Sequence, residues 1–192
     1  MEDIILLGGG GHCNSAIDVI EQQGKYRIIG ILDLPENVGT TILGYPIIGV
    51  DSDIEKFSKH VKHYHITVGQ IYDVSKRVHL FEFLKAHKLN LPTIVSPIAY
   101  VSKHSEILEG SIIMHHATVN AKSRIGRNCI INSKSLVEHD AEIEDHCHIS
   151  TGAIINGGVS VGSKSFIGSG AVTKQYIKIP INSFIKANSL VK

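Results

Sequence analysis

From Val95 to Ile167 every sixth residue is Val or Ile, running Val95, Val101, Ile107, Ile113 and onward without a slip to Val161 and Ile167. Four places after each anchor stands a small side chain, from Ala99 and Ser105 to Ser165 and Ala171, with Val159 the one exception. An α-helix repeats every 3.6 residues and a half-buried strand every two, so neither asks for this pattern. A fixed internal period denotes stacked repeats. Each six-residue unit is read as one short strand and one corner, and three units close a coil of eighteen residues. The branched anchor points into the coil, where β-branched side chains pack well on a pleated surface. The small residue occupies the crowded corner. Successive coils would lie about 4.8 Å apart. Anchors eighteen apart should share columns, one of them Val101, Val119, Val137 and Ile155, and Cys129 should stack on Cys147 among the small residues.

Before Leu91 the sixfold pattern is absent. Asp3–Leu7 reads as an apolar strand, followed by Gly8–Gly11 and a helix from about His12 to Gln23, closed by Gly24. Arg27–Leu32 is a second strand ending at Asp33. A Gly- and Pro-punctuated stretch runs from Leu34 to Gly49, then a helix from Asp51 to Lys59, a strand at His65–Gly69 and helical spacing over Asp73–His87. Alternating strands and helices imply a parallel sheet. The expected organisation is a Rossmann-like α/β domain over residues 1–91, a β-helix over 92–175 and a tail over 176–192.

A Gly-rich turn between strand and helix suits a phosphate, because bare backbone N–H groups approach closely and the helix N-terminus carries partial positive charge. The run Gly8-x-Gly10-x-x-Cys13 lacks the third Gly or Ala of the dinucleotide fingerprint, which argues against NAD. Asp33 stands where it could accept hydrogen bonds from a ribose or a base. A tight turn with no ligand is the plainer reading of the glycines.

Composition narrows the remaining classes. A net charge of +1 gives no reason to expect nucleic acid or an anionic membrane. No apolar run nears the roughly 20 residues that span a bilayer, and Met1–Leu7 is too short and acidic for a signal peptide, so the expectation is cytoplasmic. Cys13, Cys129 and Cys147 form no CxxC motif and read as buried thiols.

The segments Ile5-Leu6-Leu7-Gly8-Gly9-Gly10-Gly11-His12, Gly30-Ile31-Leu32-Asp33, Gly44-Tyr45-Pro46-Ile47-Ile48-Gly49 and Ser96-Pro97-Ile98-Ala99 precede Asn132, Val137-Glu138-His139-Asp140, His148-Ile149-Ser150 and Gly157-Gly158-Val159. As a set they resemble the branch of hexapeptide-repeat acyltransferases that holds sialic acid O-acetyltransferases and N-acetyltransferases of nucleotide-linked 4-amino-deoxysugars. The resemblance implies a left-handed parallel β-helix, acetyl-CoA as co-substrate, a homotrimer with CoA along the β-helix between protomers, and a role in bacterial surface glycan synthesis. It also implies His139 as general base with Asp140 as partner, Asn132 near the acceptor group, and His148, Gly157 and Ser169 as contacts to the donor. The turn Gly10–Gly11–His12 and Asp33 would hold the sugar nucleotide.

The chemistry is consistent with that assignment. Acetyl transfer to an amine needs a base, imidazole titrates near neutral pH, and a carboxylate can fix its tautomer. Adjacent β residues point to opposite faces, so His139 meets Asp140 only if a corner intervenes. Direct attack on the thioester requires no nucleophilic Ser or Cys. His115, His116 and His146 read as surface residues.

The chain departs from the pattern at Leu34, where a second acid is usual, and at Ser96, where His is usual. Its β-helix ends a coil early at Thr173-Lys174, which would shorten the wall for CoA, and Lys186-Ala187-Asn188-Ser189 replaces a G-x-P-A segment. Lys186 could pair with a CoA phosphate. Two alternatives remain: O-acetylation of a sialic-acid-type sugar, and a non-catalytic β-helix binding protein. A zinc hydratase needs three converging ligands; no two β-helix histidines are thirty-six apart, the spacing that family uses, so no metal is expected.

Overall fold

The apolar run at the start forms β1 (Glu2–Leu7), with Ile4 to Leu7 fully buried. The computed structural model describes residues 1–192. They fall into two units, Met1–Gly69 with Ser75–Pro92, and Gln70–Val74 with Thr93–Lys192.

In the first unit β1 leads into α1 (Gly11–Gln23), which ends at Gly24 in the left-handed conformation with its N–H bonded to the Ile20 carbonyl. Then come β2 (Tyr26–Leu32), β3 (Thr41–Ile42), β4 (Tyr45–Gly49), α2 (Ile54–Phe57), β5 (His63–Ile66) and α3 (Ser75–Ala86). The sheet order is β3-β4-β2-β1-β5, parallel except for the β3–β4 hairpin. The stretch expected as a punctuated connection over 34–49 therefore contributes two strands. Leu43 and Gly44 lie at φ 48° and 87°, the two left-handed residues of a tight hairpin turn. The helix expected over 51–59 is a 3-10 turn at Asp51–Asp53 followed by the single turn of α2.

The second unit consists of seventeen two-residue strands, β6 (Ile94–Val95) through β22 (Leu190–Val191), one every six residues. They form three parallel sheets: β6, β9, β12, β15, β18 and β21 on one face, β7 through β22 in steps of three on the next, and β8 through β20 likewise on the third. This is the left-handed β-helix. Partners lie eighteen residues apart, as in Val101–Val119–Val137–Ile155. The anchors from Ile113 to Ile167 are at 0 % exposure and form one continuous core. In the small-residue column Ser111 Oγ donates to the Gly126 carbonyl at 2.7 Å and Cys129 Sγ to that of Glu144 at 3.1 Å. The stacked Cys129, with burial behind it, pushes the Cys147 thiol up, and burial pushes Cys13 up to about 11. All three are buried.

The segment 176–192 is not a tail. β20 (Lys178–Ile179), β21 (Phe184–Ile185) and β22 pair onto β17, β18 and β19, extending the β-helix by nearly one coil beyond the boundary expected at 175. The pattern is masked because Thr173 stands in an anchor slot and Ile177 in a small one. Thr173 has the β-branched shape of valine, is 1 % exposed, and accepts a hydrogen bond from the Asn156 N–H at 2.9 Å. The β-helix therefore does not end at Thr173-Lys174, where the sequence pattern stops.

Candidate active site

Every corner from residue 110 to residue 188 passes through one left-handed residue, three places after the anchor. Gly, Asn and Asp tolerate this conformation best. At the corner after β13 (Leu136–Val137) that residue is Asp140, φ 59°. The reversal defeats the usual alternation of side chains, and His139 Nδ1 meets Asp140 Oδ2 at 2.8 Å. The carboxylate accepts the Nδ1–H, which leaves the lone pair on Nε2. Both side chains are about half exposed, at 50% each. One coil on, a Cβ built at Gly157 would lie 2.8 Å from His139 Cε1 and 2.9 Å from Nε2, so the imidazole rests on the bare glycine. Glu138 faces the other way, accepting from Asn120 Nδ2 at 2.8 Å and from the His139 N–H at 3.3 Å.

A second cluster stands at the corner before β13. Asn132 Oδ1 accepts the Ser133 N–H at 2.7 Å, which fixes the amide orientation. Its Nδ2 then donates to His148 Nε2 at 3.0 Å. His148, on β15 (His148–Ile149) and 7% exposed, bonds through Nδ1 to the Gln70 carbonyl at 2.6 Å. Ser150 Oγ and Ser169 Oγ lie 2.9 Å apart at the same corner. The structure therefore brings His139, Asp140 and Gly157 together, and separately Asn132 and His148, with Ser169 bonded to Ser150 further along the same corner. Gln70 was missed by sequence reasoning, as it stands far from any repeat. His146, read as a surface residue, is buried, within 3.0 Å of Asn128 Nδ2 at its Nδ1, with its carbonyl accepting from Gln70 Nε2 at 3.1 Å.

In the first unit the Gly-rich turn precedes α1. Gly10 caps the helix without a side-chain hydrogen bond, and a Cβ on Gly10 or Gly11 would meet nothing within 4 Å. These exposed N–H groups suit an anion. His12 is half-buried in the first turn. Asp33 packs against Gly9, where a Cβ would fall 2.6 Å from Asp33 Oδ2, and that oxygen accepts from Asn37 Nδ2 at 2.7 Å. Turn and acid are thus adjacent.

No helix is long and apolar enough to cross a membrane. Residues 3–82 match the family model of the PglD N-terminal domain. Sequence comparison with curated proteins gives no match. The structure is similar to PerB from Caulobacter crescentus solved with CoA and GDP-perosamine, with a TM-score of 0.92 and 27% identity over 100% of this chain and 89% of that one. Against the acetyltransferase domain of PglB from Neisseria gonorrhoeae, solved with acetyl coenzyme A, the TM-score is 0.89 and the identity 26%, covering 99% and 92% of the two chains. WeeI from Acinetobacter baumannii, at 21% identity and a TM-score of 0.62, over 92% of this chain and 94% of its own, shares the fold.

Proposed function

We propose that this chain is a PglD-like hexapeptide-repeat acyltransferase, which transfers an acetyl group from acetyl-CoA to the amine of a nucleotide-linked amino sugar. PerB is solved with CoA and GDP-perosamine, and the PglB acetyltransferase domain with acetyl coenzyme A. In this chain the observation that carries the reading is the His139–Asp140 pair at 2.8 Å on an exposed corner. Asp140 holds the Nδ1–H tautomer, and His139 Nε2 takes a proton from the acceptor amine as it attacks the thioester. His139 then returns the proton to the departing CoA thiolate. No metal and no covalent acyl-enzyme is needed for these steps. The exposed turn Gly10–Gly11–His12 would receive the sugar nucleotide's phosphates, and Asp33 would accept a hydrogen bond from its nucleoside. His148, Gly157 and Ser169 would line the path of the donor. We place this reaction in bacterial surface glycan synthesis, in the cytoplasm.

The His139 and Asn132 clusters occupy opposite ends of β13, at two corners of one coil. A homotrimer, in which one protomer's His139 corner faces its neighbour's Asn132 corner, would assemble both around one acetyl group. The test is release of CoA thiol from acetyl-CoA with nucleotide-linked 4-amino sugars, run beside calorimetric titration with acetyl-CoA. Wild type should turn over. His139→Ala should bind acetyl-CoA normally and lose roughly 10²–10⁴-fold in kcat. Failure of wild type to bind acetyl-CoA would overturn the reading and leave a binding protein. Turnover with sialic acids alone would redirect it to O-acetylation.

A further inference from the structure

The hydrogen bonds around Asn132 run in one direction. The Gln70 carbonyl can only accept, so at 2.6 Å it requires a hydrogen on His148 Nδ1. His148 Nε2 accepts from Asn132 Nδ2 at 3.0 Å, which makes the ring the neutral Nδ1–H tautomer. Asn132 Oδ1 is occupied by the Ser133 N–H at 2.7 Å, so the amide cannot turn over without losing a bond at each end. The chain of bonds terminates in one unused donor, the second hydrogen of Asn132 Nδ2. Asn132 itself is half-buried rather than sealed in the core. The ring is held from the side as well. Phe166 meets it edge-on with centroids 5.2 Å apart, and Phe184 and Tyr72 continue the stack at 5.1 and 4.9 Å. Gln70 and Tyr72 lie on the short segment Gln70–Val74, which groups with the β-helix, and Gln70 Nε2 fastens that segment by donating to the His146 carbonyl.

We propose that Asn132 is a catalytic residue that donates its free N–H to the thioester oxygen of acetyl-CoA, and that His148 and the Gln70 carbonyl are positioning residues that aim it. The inference rests on the acetyl-transfer reading above. As the amine nitrogen bonds to the thioester carbon, the C=O pair moves onto oxygen and the Asn132 N–H stabilises the negative charge. When the carbonyl re-forms, the C–S bond breaks and CoA leaves as the thiolate. The proton lost from nitrogen travels through His139 to that sulfur, giving the amide and CoA thiol. His148 in this tautomer has no N–H left to offer the acetyl group, and it neither takes nor gives a proton.

Steady-state kinetics on the full chain tests this. Asn132→Ala should lower kcat by about 10²-fold while the KM for acetyl-CoA changes little, the mark of a donor used mainly in the transition state. His148→Leu should lower kcat by about 10- to 100-fold through misalignment of Asn132. His148→Gln carries one N–H and one carbonyl oxygen at comparable separation and cannot titrate, so it should recover most of that loss. Thermal unfolding of each variant at the wild-type midpoint shows that the fold is intact. An unchanged kcat in Asn132→Ala, or a rise confined to the sugar's KM, overturns the donor role. His148→Gln as inactive as His148→Leu overturns the positioning role and makes His148 a proton carrier. Absence of any turnover by wild type removes the acetyl-transfer reading, and this inference with it.

Discussion

An imidazole laid across the Cα of Gly157 leaves no space for a methyl group. Gly157→Ala should therefore swing the half-exposed His139 ring away from its carboxylate and cut kcat at least about 10-fold with little loss of stability, measured by kinetics and by denaturant unfolding of the same sample. Asp140→Asn keeps the shape but replaces the acceptor of the Nδ1–H. It should lower kcat by about 10²–10⁴-fold with the KM for acetyl-CoA unchanged. In the first unit His65 is fully buried, and desolvation, followed by the Arg77 charge, pushes its pKa down to about 3. The buried Arg77 guanidinium is held by the Ile66 and Val68 carbonyls at 3.1 and 2.7 Å. Below its ordinary value near 6.5, His65 binds a proton in the unfolded chain but not in the native one. Its contribution is complete above pH 6.5 and is lost as pH falls towards 3, at up to about 1.4 kcal/mol per pH unit. Unfolding curves at pH 7 and pH 5 should show this loss in wild type and a smaller one in His65→Leu. An identical loss in the variant would assign the acid sensitivity to other groups.

The two-residue strands are legible because an anchor recurs every six residues and each is buried in the same way, so the period survives in the sequence alone. Legibility failed where geometry allowed a different side chain to do the same job. Thr173 fills a valine slot because its hydroxyl finds the Asn156 N–H, and the last coil was consequently read as a tail. Residue 43 turns a hairpin as a leucine, without the Asn or Asp that would signal it. The left-handed corner residues do leave a trace, in Asn128, Gly152, Gly158, Gly170, Asn182 and Asn188, and that second register would have shown that Asp140 turns back towards His139. The Gln70 carbonyl left none, because a backbone oxygen has no residue type and its partner is 78 positions away. Ile143→Ala should cost about 2–5 kcal/mol, since the stacked coils cannot collapse into the space. Thr173→Val should cost about 1–3 kcal/mol despite its equal volume, by stranding the Asn156 N–H. Guanidinium unfolding of the two variants checks both, and a neutral Thr173→Val would mean that the hydroxyl is dispensable to the last coil.

At the scale of the molecule, the two corner clusters are the reason to expect a closed threefold assembly. Sedimentation equilibrium should give three times the 20.9 kDa chain mass, and a monomer with full activity would refute the shared-site arrangement. The segment Gln70–Val74 bears on a different matter, the modularity of the protein. It lies between β5 and α3 in the chain, yet it groups with the β-helix and supplies the carbonyl that His148 needs. Leu91-Pro92 invites treatment as a seam at which one N-terminal domain could be exchanged for another. Recombination there would carry His148 away from the oxygen that sets its tautomer, and a swapped domain would have to bring its own. Heritable exchange between such proteins should therefore respect the segment around residue 70 as part of the catalytic half, and chimaeras joined at residue 92 should fold and yet turn over poorly.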